Sequence, residues 1–446
     1  MKRITITFLL LTLLAACIPN TPTVTVTPII SVPSLVPTVA VTATSAPPTS
    51  VPSPAVTFTP PPTAAPPAVT KGPTAPVGPA VTQTAPDCKA LPGFPGCGAS
   101  LPLTGKLAIY DDSHQLIQVL DFNARQDLQI KTKVGTIGLE WQDKGNFLTA
   151  ASPDNQPALA WVNPVTSKTP ALPKFGPQGQ PIFSGTDGST AWLEQKDGLF
   201  LFHVRPANSD KDQVWPAEPK PSDKIHDLLG WVPGTPLLLA GYHFGSNSMW
   251  VTGNQLYSLD SRNGAVKELP ASMRLGSSIA WHPSQPAVMA FDDSSQSQLM
   301  GASRLAILNV NTAKVTRLIA DTAVSSTYPA WTPDGLAILH AAIKVGNPPA
   351  ANDPFALAGI YRTEWPAGTT TRITTPPQGQ RDAWPQPLAD GKNVLYLRYS
   401  PDTKQAEVRL AGLDSKLDAP VVTALNVAPA IQSLDIHWQT VLAYVP

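Results

Sequence analysis

Pro329-Ala-Trp331-Thr-Pro-Asp-Gly335-Leu-Ala-Ile-Leu-His340 holds the pattern on which the whole chain is built. An aromatic anchor is followed by an Asp-Gly pair, which closes a tight turn, and then by an apolar run that suits a second strand. Gly359-Ile-Tyr-Arg-Thr363 and Thr371-Arg-Ile-Thr374 offer a third and a fourth strand. The unit returns as Ile279-Ala-Trp281-His-Pro-Ser-Gln-Pro-Ala-Val-Met-Ala-Phe291 and as Asp382-Ala-Trp384-Pro-Gln-Pro-Leu-Ala-Asp-Gly391-Lys-Asn-Val-Leu-Tyr-Leu397.

Leu139-Glu-Trp141 and Leu229-Gly-Trp231 are two more starts, Pro181-Ile-Phe183 with Asp187-Gly188 is a degenerate one, and Trp438 is the last. Starts at 141, 183, 231, 281, 331, 384 and 438 are separated by 42, 48, 50, 50, 53 and 54 residues. That period is close to the roughly 40–50 residues of a propeller blade. The segment Leu434-Asp-Ile-His-Trp438-Gln-Thr-Val-Leu-Ala-Tyr-Val445 supplies only a first and a second strand. Lys106-Leu-Ala-Ile-Tyr-Asp111 and Leu116-Ile-Gln-Val-Leu-Asp121 read as the missing third and fourth. The expectation is an all-β fold: a β-propeller over residues 105–446 with seven blades, the last split between the two ends of the domain so that no sheet edge is left open; six or eight blades, or a sandwich or solenoid, are the alternatives.

Trp331-Thr-Pro-Asp-Gly335 resembles the Trp-Ser-Pro-Asp-Gly core of TolB-type, WD40-like propeller repeats. The resemblance spans about residues 105–446, with this one copy nearest the consensus, and it implies a propeller. In the prolyl oligopeptidase family such repeats accompany a serine hydrolase domain, but no Gly-x-Ser-x-Gly elbow occurs here.

The N-terminus is of a different kind. Lys2 and Arg3 precede the apolar run Thr5–Leu14, too short for a permanent membrane span, and the set reads as a signal peptide over residues 1–16. Leu14-Ala-Ala-Cys17 resembles the lipobox of bacterial lipoproteins. That resemblance implies lipidation of Cys17 and a chain exported and anchored on the extracytoplasmic side of a membrane; an ordinary secretory signal cut near Ala16 is the alternative. Residues 17–86 form a Pro/Thr-rich tether, in which Lys71 is the only charged side chain and Phe58 the only aromatic. Such a segment cannot bury a core and favours extended polyproline II, with a reach on the order of 200 Å. Residues 87–104 are a short loop in which Cys88 and Cys97 are expected to pair in an oxidising compartment.

The 31 basic and 31 acidic side chains balance, with no basic block after the first three residues, so neither nucleic acid nor an anionic surface is suggested as partner. Metal-ligand spacing and phosphate-cradling loops are absent, and no cofactor is expected. Glu140, Asp382 and Asp435 lie beside or near a blade Trp, as does His282, and these are the candidates for a channel-mouth site. Their surroundings suit ligand binding better than general acid/base work. Asn352 and Asp353, in the long loop Lys344–Phe355, are candidate contact residues. The expected function is that of a monomeric, non-catalytic envelope module binding a protein, peptide or glycan; the alternative is a glycan lyase or glycosidase.

Overall fold

A computed structural model describes the chain between residues 101 and 446 except for 112–113, 115, 132–137, 143–146, 152–159, 163–181, 184–187, 197–198, 208, 218–226, 244–253, 274–278, 295–302, 322, 346–357, 427–430, 433–434, 437 and 439–440. Before residue 101 it describes Thr82, Gln83 and Lys89. The signal peptide, Cys17, Cys88, Cys97, Asn352 and Asp353 therefore lie outside the described residues.

The hairpin around Trp331 forms as its sequence dictates. Thr332 N–H donates to Ala337 O at 2.9 Å and Gly335 N–H to Thr332 O at 2.8 Å, with Gly335 at φ 72°, a left-handed conformation that Gly adopts without steric cost. Strands Val324–Trp331, Ala337–Lys344, Gly359–Glu364 and Thr370–Arg372 then follow in chain order as one antiparallel sheet. The same order recurs in Arg381–Pro387, Asn393–Ser400, Gln405–Gly412 and Asp418–Asn426. It recurs again from Ile182–Phe183 to Gln213–Pro216. Between Asp227–Trp231 and Lys314–Arg317 two such groups are joined by a single residue pair, Met273 with Asp293.

The sheet of Arg381–Asn426 is buried on both faces, as a propeller blade is. In Asn393–Ser400, Leu395, Leu397 and Tyr399 enter a core shared with Leu107, Leu120 and Leu442, while Val394 and Tyr396 enter another with Leu339 and Ile360. A blade in this position needs a neighbour on either side.

The ends supply those neighbours. Leu442–Val445 pairs antiparallel with Lys106–Asp111, which pairs in turn with Leu116–Asp121, so the split blade closes the domain. Gln126–Lys131 adds a further strand, and Thr82–Gln83 lies on its outer edge. Trp438 is fully buried, its ring 5.8 Å from that of Tyr399 in the preceding blade. One detail differs from expectation: Asp435–Ile436 pairs with Ile431–Gln432 as a separate two-stranded sheet rather than as the first strand of the closing blade.

The Trp frame is also corrected at one point. Trp141, Phe183, Trp231 and Trp331 each face a strand partner seven residues later, at Leu148, Thr190, Leu238 and Ile338, and Trp281 faces Met289. In the next blade that place belongs to Pro387, opposite Val394. Trp384 instead sits at φ 51° in a bulge before Pro385, matching Tyr328 at φ 55° before Pro329. The frame there begins three residues later than the sequence suggested.

His340 carries a pH consequence of this packing. It is fully buried, with Nε2 2.9 Å from Thr363 Oγ1 and its ring stacked 6.0 Å from Tyr361, and burial pushes its pKa down from 6.5 to about 4. The unfolded chain therefore binds this proton first as pH falls, so the stabilisation is complete above pH 6.5 and is lost progressively towards pH 4. Urea unfolding should show His340→Gln losing about 2 kcal/mol less than the parent protein between pH 7.5 and 5.

Candidate functional site

Two candidate residues have described side chains, and both are built into joints between strands or blades. His282 follows Trp281 in the turn of its hairpin, where its Nδ1 accepts from the backbone N–H of Ser284 and of Gln285, both at 3.1 Å. Its ring packs 4.5 Å from Trp331 and 5.3 Å from Trp365 of the following blade. Gly335 lies against it so closely that a Cβ there would meet His282 Cε1 at 2.5 Å. Trp331 Nε1 completes the joint by donating to Ala280 O at 2.9 Å. Burial holds the imidazole below its usual pKa, with Nδ1 committed as an acceptor. His282 is thus packed into the joint between two blades.

Asp382 is likewise enclosed. Its carboxylate takes Arg398 along two edges, from Nε at 2.7 Å and from Nη2 at 3.0 Å. Arg398 Nη1 reaches Asp418 Oδ2 at 3.3 Å, and Asp418 Oδ1 accepts from Tyr396 OH at 2.7 Å and from Arg409 Nε at 2.8 Å. Arg409 Nη1 ends the row on Glu407 Oε2 at 2.7 Å. One line of alternating charge therefore crosses all four strands of this blade. Burial pushes the Asp382 carboxyl up while Arg398 pulls against it; burial works upward on Asp418 too, but Tyr396 and Arg409 hold it below the usual range. A carboxylate held on both oxygens by a buried guanidinium is a poor base, because taking a proton would strand the cation.

The four expected channel-mouth residues hold different register positions in their sheets. Glu140 precedes its frame Trp141 by one residue and pairs with Thr149. His282 follows Trp281 by one, and Asp382 precedes the true frame residue Pro387 by five. Asp435 belongs to the separate hairpin, opposite Gln432. Among the described residues no group of three or more His, Cys, Asp or Glu is placed to hold a metal ion.

A further constellation, outside the residues expected from the sequence, lies on strands Thr190–Lys196, Leu199–Arg205 and Gln213–Pro216. Trp192 is its centre, with His203 stacked 5.0 Å from it and the Arg205 guanidinium 5.2 Å over its ring. His203 Nε2 lies 2.9 Å from Glu194 Oε2, and Arg205 Nε donates to Asp212 Oδ1 at 2.7 Å. The Asp212 carboxylate raises the Arg205 pKa, so this cation is permanent. About a quarter of each of the Glu194, Arg205 and Asp212 side chains is open to solvent, at 29%, 26% and 25%. The signal was period two: Phe200, Phe202 and Val204 alternate with His203 and Arg205. Mixed donors and acceptors held on an aromatic plate suit recognition of a polar ligand.

No protein-family model matches the sequence, and no curated protein matches it. Among solved structures, a dipeptidyl aminopeptidase IV-type protein from Bacteroides ovatus is 11% identical over 72% of this chain and 51% of that one, with a TM-score of 0.44. The chain thus spans about half the length of that protein. The β-propeller domain of the Trilobed protease from Pyrococcus furiosus is 8% identical over 74% and 96%, with a TM-score of 0.45. An oligogalacturonate lyase from Vibrio parahaemolyticus is 13% identical over 69% and 86%, with a TM-score of 0.41. These likenesses are distant, and the propeller assignment rests on strand order and closure.

Arg398→Met should leave Asp382 buried without its cation and cost about 3–5 kcal/mol in denaturant unfolding. The double variant Arg398→Met with Asp382→Asn should recover much of that loss.

Proposed function

We propose that this chain is a lipid-anchored, seven-bladed propeller that acts in the cell envelope as a non-catalytic module binding a protein, peptide or glycan. The observation that carries this reading is the contrast between two sets of polar groups. Asp382 and His282, the groups best placed in the sequence for chemistry, are committed to Arg398 and to turn amides. Glu194, Arg205 and Asp212 keep part of their surface open around Trp192, with donors and acceptors already oriented. Fixed polar groups at an open surface favour affinity, since little side-chain entropy is left to lose on binding.

The membrane attachment rests on Leu14-Ala-Ala-Cys17, and the reach on the tether that follows it. On this reading the ligand lies in the envelope or beyond it, and the roughly 70-residue spacer sets how far away the domain can meet it.

Crosslinking in intact membranes tests both parts. A stable partner or glycan should be recovered with the parent chain and with Asp382→Asn, and should be lost, or reduced at least tenfold, with Arg205→Ala combined with Glu194→Ala. Cys17→Ser should move the protein out of the membrane fraction. Turnover of an envelope glycan that vanishes in Asp382→Asn would overturn the binding reading, and unchanged membrane retention of Cys17→Ser would overturn the anchor.

A further inference from the structure

Two acceptors of the Trp192 constellation stand close together with no donor between them. His203 is 9% exposed, and its Nδ1 has no hydrogen-bond partner among the described residues. A carboxylate only accepts, so the imidazole spends its Nε2–H on Glu194 Oε2 and keeps a lone pair at Nδ1. Asp212 Oδ2 lies 3.9 Å from that nitrogen, beyond hydrogen-bond reach, and Arg205 Nη2 approaches the same oxygen only to 3.3 Å. Neither atom can supply the proton that the other lacks. We propose that the pair takes a neutral saccharide, one hydroxyl of a vicinal diol donating to His203 Nδ1 and its neighbour donating to Asp212 Oδ2. Such binding presupposes the binding-module reading of the Trp192 constellation and narrows its ligand to glycans.

Two donors on adjacent carbons suit two acceptors at this separation. A buried acceptor left without a donor costs free energy, and a ligand that supplies one recovers it. Each hydroxyl also keeps lone pairs after giving up its proton, and the Arg205 guanidinium, a pure donor, lies beside the same carboxylate.

Apolar surface continues on the same face. Leu199, Leu201 and His203 alternate along their strand, so they share a face, and Val214 stands directly opposite His203 with Pro216 opposite Leu201. Leu199 at 49% and Val214 at 45% are two of the four large apolar side chains so exposed among the described residues. A sugar ring offers both chemistries, hydroxyls at its rim and C–H groups on its faces, and a site of few fixed polar groups beside apolar surface matches it.

Charge selects against other envelope ligands. A carboxylate, sulfate or phosphate brings no proton to either acceptor and meets Glu194 and Asp212 at short range, whereas an ammonium group meets Arg205. A neutral polyol meets neither penalty.

An array of printed glycans, probed with the full chain in detergent micelles, tests this. Neutral glycans with vicinal diols should be retained, and glycans bearing sulfate or uronic acids should be retained at least tenfold less. Periodate, which cleaves the bond between two hydroxyl-bearing carbons, followed by borohydride reduction of the array, should lower retention at least tenfold, and that arm depends on the folding of no variant. His203→Phe keeps a ring on Trp192 and should lower retention equally while circular dichroism is unchanged. No retention of any neutral glycan, binding that survives periodate, or full binding by a folded His203→Phe chain would overturn the diol site. A protein partner still recovered by membrane crosslinking in that event would leave the binding-module reading standing, and loss of both would sink the two together.

Discussion

The pairing of Leu442–Val445 with Lys106–Asp111 is the contact on which the other packing depends. A blade such as that of Asn393–Ser400 hides apolar side chains on both faces, so an array with two free ends would leave one face at each end in water. Closure removes both faces at once. The residues at the seam are fitted to it. Gly105 stands at φ 81°, and a Cβ there would strike the Val445 carbonyl oxygen. Tyr444 OH donates to Thr104 O at 3.0 Å, and Trp141 Nε1 from the following blade donates to Ala443 O at 3.0 Å. Two segments, residues 104–111 and Trp141, thus meet on the strand Leu442–Val445.

Polar side chains then lock the sheets laterally. The His282, Trp331 and Gly335 joint and the row from Asp382 to Glu407 solve one problem in two ways, by fitting an aromatic against a residue without a side chain and by satisfying buried charge with charge. Both consume groups whose types and positions in the sequence suggest chemistry. The partly open Trp192 constellation, by contrast, is presented on strands.

Most of the architecture was legible because a Trp that ends a strand must be followed at fixed distance by a turn. That distance held at Trp141, Trp231 and Trp331, and even at Phe183, where only backbone register preserves it. It failed at Trp384, whose following proline imitates the Trp-x-Pro pattern although the Asp390-Gly391 turn comes later than the frame allows. Burial was the hidden variable: no spacing in the sequence says that Arg398 lies opposite Asp382, because that pairing depends on the bulge between Ala383 and Gln386 in the strand of Asp382 itself. The Trp192 constellation was legible in principle through its alternation, but the ion pair to Asp212 spans a turn and becomes visible only in three dimensions.

Closure is tested most directly by deleting residues 442–446 and following thermal unfolding together with hydrogen exchange of Lys106–Asp111. If the seam holds the ring, Tm should fall by about 5–10 °C, from the loss of several kcal/mol of buried apolar contact, with exchange of Lys106–Asp111 rising sharply. An unchanged Tm with protection of Lys106–Asp111 intact would contradict it.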